Sequence, residues 1–198
     1  MITALVSVLL LSGFPSVGAA QRYSSTEPSP SLDNYWRRFA LGFGISLLAH
    51  ESAHILTSLA LGYHPHIGFD KGRPTVFSGI DAQKEPHKQF LFSAAGLTTQ
   101  AVIDEAILDI PHSRGGAIER GILAGGIGTT LFYITIGRNA SVSDISYMAR
   151  TSSLSKTQLS LIYGGFSALH AFRISRDPAY SHFFVAATEN GLGFGLQY

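Results

Sequence analysis

The chain has 198 residues, of which 45% are hydrophobic and 14% are charged, and its formal net charge is +1. Charged residues make up about a quarter of an ordinary soluble domain, so this low share and a mean hydropathy of +0.20 indicate membrane-embedded helices. The absence of cysteine excludes disulfides and thiolate metal sites, and the dispersed lysines and arginines do not predict nucleic-acid binding.

The first twenty residues have the layout of a secretory signal peptide. An apolar run at 2–11 is followed by Gly13 and Pro15 and then by small residues at 17–20, where cleavage is expected. No positively charged residue precedes the apolar run, so an uncleaved anchor helix is the alternative. Residues 21–34, which begin with a segment rich in serine and proline, predict a flexible linker. Either reading directs the chain to a membrane.

Four mostly apolar stretches follow, each near the length of about 20 residues that a helix needs to cross a bilayer. They cover approximately residues 35–62, 88–108, 117–137 and 157–174. Small residues within them predict close contact between helices, and the pairs Gly125-Gly126 and Gly164-Gly165 are interpreted as packing points rather than phosphate loops.

Two segments carry the signature of β-hairpins. Residues 63–87 contain short apolar runs around a polar turn with Gly72, directly after the first helix. Residues 177–198 contain two further runs around Glu189, Asn190 and Gly191. The predicted fold is therefore mainly α: a polytopic membrane bundle of about four core helices at 35–176, with a small hairpin after the first helix and a C-terminal hairpin tail.

The first core helix contains the chemistry. His50, Glu51 and His54 form an H-E-x-x-H motif, in which the two histidines face the same side of a helix and can bind one zinc ion. Glu51 lies about 100° around the helix from His50, where a carboxylate can act as general base toward water. Three ionisable side chains within five positions of an apolar helix are costly unless something binds them, and a metal accounts for all three.

The surrounding sequence resembles the site-2 protease family of intramembrane zinc metallopeptidases. The resemblance is carried by LLAHESAHIL at 47–56, ALGY at 60–63, SGI at 78–80 and SAAGL at 93–97. It implies a small membrane bundle in which the two histidines and an aspartate on a later helix bind zinc and Glu51 is catalytic. The chain departs from the family where many members have Gly-Pro and a downstream asparagine, because it has Leu97 and Gln100 there.

A catalytic zinc site needs a third protein ligand. The resemblance favours Asp144, which follows the third apolar stretch, although a helix N-cap in a serine-rich segment is the ordinary role for such an aspartate. Asp104 and Glu105 in the second stretch and His170 in the fourth are the alternatives. A lone histidine on an apolar face is more often a hydrogen-bonded core residue.

These observations predict a zinc-dependent metalloendopeptidase that hydrolyses peptide bonds of membrane-associated proteins or peptides. The rival hypothesis is a non-proteolytic membrane interaction or assembly protein that retains the peptidase-like fold. The expected location is the inner membrane of a bacterium, as an integral membrane protein, and the aromatic residue that ends the final strand indicates a Gram-negative origin.

Overall fold

The protein is represented by a computed structural model that describes residues 32–180, 183–188 and 191–196. The predicted signal peptide at 1–20 and most of the predicted linker at 21–34 lie outside these residues. The first helix begins at Leu32, within the last three residues assigned to the linker.

The described part of the chain is mainly helical, as the sequence predicts. Four long helices match the four apolar stretches, and a short helix, α4, lies between the third and the fourth. The elements in chain order are α1 (Leu32–Ala60), β1 (His66–Asp70), β2 (Arg73–Phe77), α2 (Pro86–Asp109), α3 (Ala117–Ile134), a 3₁₀ turn (Gly137–Asn139), α4 (Asp144–Arg150), α5 (Lys156–Arg176), β3 (Phe183–Thr188) and β4 (Gly191–Leu196).

Both predicted hairpins are present. Strands β1 and β2 pair antiparallel with Asp70 opposite Arg73, leaving a two-residue turn. Its residues Lys71 and Gly72 both have positive φ, 49° and 83°, as the type I′ turn of a tight hairpin requires. Strands β3 and β4 also pair antiparallel, with Thr188 opposite Gly191.

Helices α1 and α3 cross in close contact because glycines remove the side chains between them. A Cβ atom on Gly42 would lie 1.9 Å from the backbone oxygen of Ile118, and one on Gly121 would lie 2.1 Å from that of Phe39. A Cβ on Gly125 would lie 2.6 Å from the Cβ of Ser46. The Gly42 and Gly121 contacts are backbone approaches of the kind that small residues permit in membrane bundles.

The other predicted glycine packing points differ from one another. Gly126 lies against the Asp104 carboxylate and Gly164 lies against the Ile134 side chain. Open space surrounds Gly165, so the predicted contact does not form there.

An apolar core joins α2, α4 and α5. Leu97 from α2, Ile145 and Met148 from α4, and Leu159 from α5 are buried together, and the first three have no measurable exposure. Helix α4 begins at Asp144, one residue before Ile145. Ser143 caps this helix, because its hydroxyl accepts a hydrogen bond from the Ser146 amide. The packing of α4 therefore fixes the position of Asp144, its first residue.

Candidate metal centre

His50 and His54 lie one turn apart on the inner face of α1. They are 1% and 3% exposed, and their Nε2 atoms are 3.2 Å from each other. The ring planes stand at 78°, so the two imidazoles meet edge to face rather than stacking. The helical spacing of the motif thus brings two nitrogen donors to one point.

Asp144 completes a cluster of three donors. Its Oδ2 atom lies 3.2 Å from Nε2 of His50 and 3.4 Å from Nε2 of His54, so either imidazole can donate to it when its Nε2 carries a hydrogen. Ser143 provides the N-cap of α4, so the Asp144 carboxylate is not used for capping. Burial raises the pKa of this carboxyl, but the two facing imidazoles outweigh burial and hold the pKa well below its usual range.

The hydrogen bond of His54 fixes which of its nitrogens is free. Its Nδ1 lies 2.7 Å from the backbone oxygen of Phe92, and a carbonyl oxygen only accepts, so Nδ1 carries the hydrogen. In the neutral ring the Nε2 lone pair then faces a carboxylate oxygen and the Nε2 of His50. A single proton could be shared by only two of these three atoms, whereas a divalent cation could be bound by all three at once.

The separations of the donor atoms fit a tetrahedral metal site. Zinc binds histidine nitrogen and carboxylate oxygen at about 2.0 to 2.1 Å, which places neighbouring ligand atoms about 3.3 to 3.4 Å apart. The three observed distances are 3.2, 3.2 and 3.4 Å. His50, His54 and Asp144, all buried, can therefore hold a metal ion without moving far.

The residues that pack around the two imidazoles leave space for both rings. At Gly96 of α2, a Cβ atom would lie 2.5 Å from Cε1 of His50 and 2.6 Å from Nε2 of His54. The Tyr133 ring stacks on His50 with a centroid distance of 5.4 Å and an interplanar angle of 16°. The Phe92 ring lies 4.9 Å from that of His54. Any side chain at position 96 would displace the donors.

Glu51 lines a cavity of about 60 Å³ together with His54 and Asp144. This volume accommodates only a few water molecules. Residues of β2, among them Arg73 and Val76, form another wall, and Tyr133 and Tyr147 also line it. The third member of the H-E-x-x-H motif thus shares one small compartment with two of the metal-donor side chains.

The alternative third ligands lie in a separate network. His170 of α5 contacts two acidic residues of α2: its Nδ1 is 3.6 Å from Asp104 Oδ2, and its Nε2 is 2.9 Å from Glu105 Oε2. Arg173 pairs with Glu105 at 2.7 Å and also with Asp109. Asp104, Glu105 and His170 therefore join one another and are not brought to the histidine pair of α1.

Gln100 is a neighbour of the site whose role the sequence did not predict. It entered the sequence comparison only as a departure from the family pattern, yet its Oε1 lies 3.0 Å from Nδ1 of His50. The backbone oxygen of Phe92 is a second partner that no sequence signal could reveal, because every residue has one. The sequence signal that could have indicated such a role is the presence of polar residues within the apolar stretch of α2. These residues are Gln89, Ser93 and Gln100, and all three are buried in the structure.

Comparison with protein-family models, with curated proteins and with solved structures gave no match to this chain.

Proposed function

We propose that the protein is a zinc-dependent membrane metalloendopeptidase that hydrolyses peptide bonds of membrane-associated substrates. One observation carries the proposal: two imidazole nitrogens and a carboxylate oxygen converge at tetrahedral spacing beside the carboxylate of an H-E-x-x-H glutamate. Three protein donors with one position left for water is the ligand count of catalytic rather than structural zinc sites.

The donor set favours zinc among the divalent metals. Imidazole suits zinc, copper, iron and nickel, whereas calcium and magnesium prefer sites made of oxygen alone. A tetrahedral arrangement of donors narrows this choice to zinc. A zinc ion held by His50, His54 and Asp144 would supply Lewis acidity, which lowers the pKa of water and polarises a carbonyl group.

Glu51 is the proposed general base. Glu51 lines the same cavity as His54 and Asp144, so its carboxylate can accept a proton from a water molecule that attacks a peptide carbonyl there. The same carboxyl can then donate that proton to the departing amine. His50 and His54 hold their orientation throughout, because Nδ1 of each ring is hydrogen-bonded to an acceptor outside the cluster.

Exposed apolar side chains support the placement in a bilayer. Helix α1, over Asp33–Ala60, is the one described helix that is long and apolar enough to cross a membrane by length and composition. Only 22% of its most apolar stretch is buried by the protein. Large apolar residues are also at least 49% exposed on the other long helices: Val102, Leu131, Leu161, Leu169 and Phe172. We propose a polytopic bundle in the inner membrane of a bacterium, with lipid against these faces.

Strand β2 is the proposed guide for the substrate. It pairs with β1 on one side, and no other strand among the described residues pairs with its second side. Residues 73–76 of this strand line the cavity that contains Glu51. An extended substrate segment can add to such an edge through backbone hydrogen bonds, which would bring a peptide carbonyl beside the metal donors.

Zinc content and proteolysis together test the proposal. Elemental analysis of the purified protein should give one zinc per chain for wild type and for Glu51→Gln, and none for His54→Ala. Cleavage of β-casein and of single membrane helices fused between two soluble domains should occur with wild type and stop in both variants.

Stoichiometric zinc without cleavage of either substrate type would favour the non-proteolytic rival. Wild-type protein that binds no zinc would contradict both the metal site and the activity.

A further inference from the structure

We propose that Gln100 is the positioning residue that sets the tautomer of His50, holding the hydrogen of the neutral ring on Nδ1 so that Nε2 is the nitrogen presented to the metal. The inference rests on the proposed metal site but concerns a residue outside the H-E-x-x-H motif and outside the three donors. The amide lies where α1, α2 and α3 meet, and its side chain is almost completely buried, with 1% of the residue exposed.

The orientation of the amide follows from one backbone carbonyl. Nitrogen and oxygen of a glutamine side chain are nearly indistinguishable in shape, so their assignment depends on their neighbours. One end of the Gln100 amide lies 3.2 Å from the backbone oxygen of Ser46, which only accepts hydrogen bonds. That end must therefore be the NH₂ group. The hydroxyls of Ser46 and Thr129, at 3.0 and 3.3 Å, accept from it as well.

The opposite end of the amide then has a single role. The Oε1 atom lies 3.0 Å from Nδ1 of His50 and can only accept, so Nδ1 of His50 carries the hydrogen. The hydrogen is thereby kept off Nε2, the atom that faces Asp144 at 3.2 Å. Free histidine favours the opposite tautomer slightly, so a partner at Nδ1 is needed to present Nε2 as a donor.

Different hydrogen-bond acceptors thus favour the same tautomer in His50 and in His54. For His54 the acceptor is the main-chain oxygen of Phe92, which no substitution removes. For His50 the acceptor is a side chain, and it is oriented by residues of α1 and α3. The tautomer of His50 is therefore the part of the metal site that depends on the packing of three helices.

Two substitutions separate positioning from structural support. Gln100→Met keeps the length of the side chain but removes acceptor and donors, while Gln100→Glu keeps an acceptor for His50 and removes the donors to Ser46. We expect Gln100→Met to weaken zinc binding by about 10- to 100-fold, as loss of an outer partner of a ligating histidine does. Gln100→Glu should retain zinc affinity within a few-fold, although the loss of its hydrogen bonds to Ser46 and Thr129 will lower its melting temperature.

Gln89→Met is the matched control, because Gln89 is also a buried glutamine of α2, at 3% exposure, and it bonds only Ser78 and Ser93. It should lose stability without a change in zinc affinity beyond about two-fold. A general effect of removing a buried amide would instead weaken zinc binding in both methionine variants.

Nitrogen-15 NMR of metal-free protein labelled at histidine provides a readout independent of zinc. At a pH where the ring is neutral, the His50 signals, assigned by their loss in His50→Gln, should show a hydrogen-bearing Nδ1 and a bare Nε2 in wild type and Gln100→Glu. They should show the reverse or a mixture in Gln100→Met.

An unchanged tautomer together with unchanged zinc affinity in Gln100→Met would overturn this inference and leave the proposed function standing. Failure of wild-type protein to bind zinc would contradict the proposed function, while the tautomer measurement would still decide the role of Gln100.

Discussion

Two clusters of ionisable side chains in this protein differ in how the charges of their carboxylates are compensated. In one, His170 lies between Asp104 and Glu105, and Arg173 pairs with Glu105 and Asp109. In the other, His50 and His54 face Asp144, and among residues 32–180 no lysine or arginine pairs with that carboxylate. Buried charges are costly unless they are compensated. Arg173 supplies a permanent positive charge to the first cluster, whereas the convergent donors of the second can also hold a cation from outside the chain.

The comparison shows why composition alone does not distinguish a metal site from a structural ion network. Both clusters combine histidine with carboxylates at low exposure. They differ in geometry, because the donors of the His50 cluster converge on one point while the two nitrogens of His170 face acids on opposite sides of its ring. Convergence of lone pairs, and not the number of acidic residues, marks the candidate metal centre.

The largest expected effect comes from removing the anionic donor. Asp144→Asn keeps the shape of the side chain but loses the charge that faces both imidazoles, and zinc affinity should fall by more than about 100-fold, beyond the cost of an outer-partner substitution. Competition with a chelating dye measures this change. Asp81→Asn, at a fully exposed aspartate, is the control and should bind zinc as wild type does. Equal affinities in the two variants would exclude Asp144 as a ligand.

Gly96→Ala should break the geometry of the same cluster. The new methyl group would lie within about 2.6 Å of both imidazoles, so we expect zinc affinity to fall at least tenfold and the free energy of unfolding to fall by about 1 to 3 kcal/mol. Gly44→Ala on α1 is the matched control, since no atom lies near its added methyl group, and it should be neutral or slightly stabilising. Similar behaviour of the two variants in thermal unfolding and zinc titration would contradict the close packing at Gly96.

Acid should release the metal from the His50 cluster. Zinc requires neutral imidazoles, so protons compete with zinc for the ring nitrogens of His50 and His54 as the pH falls. Zinc affinity should drop by at least about tenfold between pH 7.5 and pH 5.5, and it should recover on return to pH 7.5. Dialysis followed by elemental analysis measures both steps. Retention of full zinc content at pH 5.5 under chelator would argue against histidine ligands.

The His170 cluster should affect folding and leave zinc binding unchanged. His170→Gln removes the imidazole between Asp104 and Glu105 and leaves Asp104 without a cationic partner. The free energy of unfolding should therefore fall by about 3 kcal/mol. The double variant Asp104→Asn with His170→Gln should recover part of this loss, because the uncompensated charge is gone. Denaturant unfolding of the metal-free protein and zinc stoichiometry provide the two readouts. A zinc content below that of wild type in folded His170→Gln would show that the clusters are not independent.

The sequence predicted the helices better than the contacts between them. Apolar stretches of spanning length marked the four long helices, and Gly72 marked the turn of the first hairpin, because these signals are local. The helices expose apolar side chains on their outer faces as well, so periodicity did not reveal which face is buried. The pairing of Asp104 with His170, 66 positions apart, therefore could not be inferred.

The residues of the candidate site likewise divide into those that local sequence signals predicted and those that depend on the packing of helices. His50, Glu51 and His54 were predictable because one helical turn fixes their relation, and Asp144 was identified only through resemblance to a family. Gln100 was not assigned a role, since its contact with His50 depends on how α1, α2 and α3 pack. A short helix such as α4 also lacks a strong local signal, although its Ser143 cap was present in the sequence.

The small cavity beside Glu51 has a consequence for turnover. In the proposed peptidase, a polypeptide segment is larger than this cavity, so the wall formed by β2 and the loop before α4 would have to move apart for a peptide bond to reach the donors. Arg73 joins these two walls, since its guanidinium donates to the backbone oxygen of Val142 at 2.8 Å. In the proposed peptidase, the contact between Arg73 and Val142 would have to open before a substrate enters, and the rate would depend on how readily it opens.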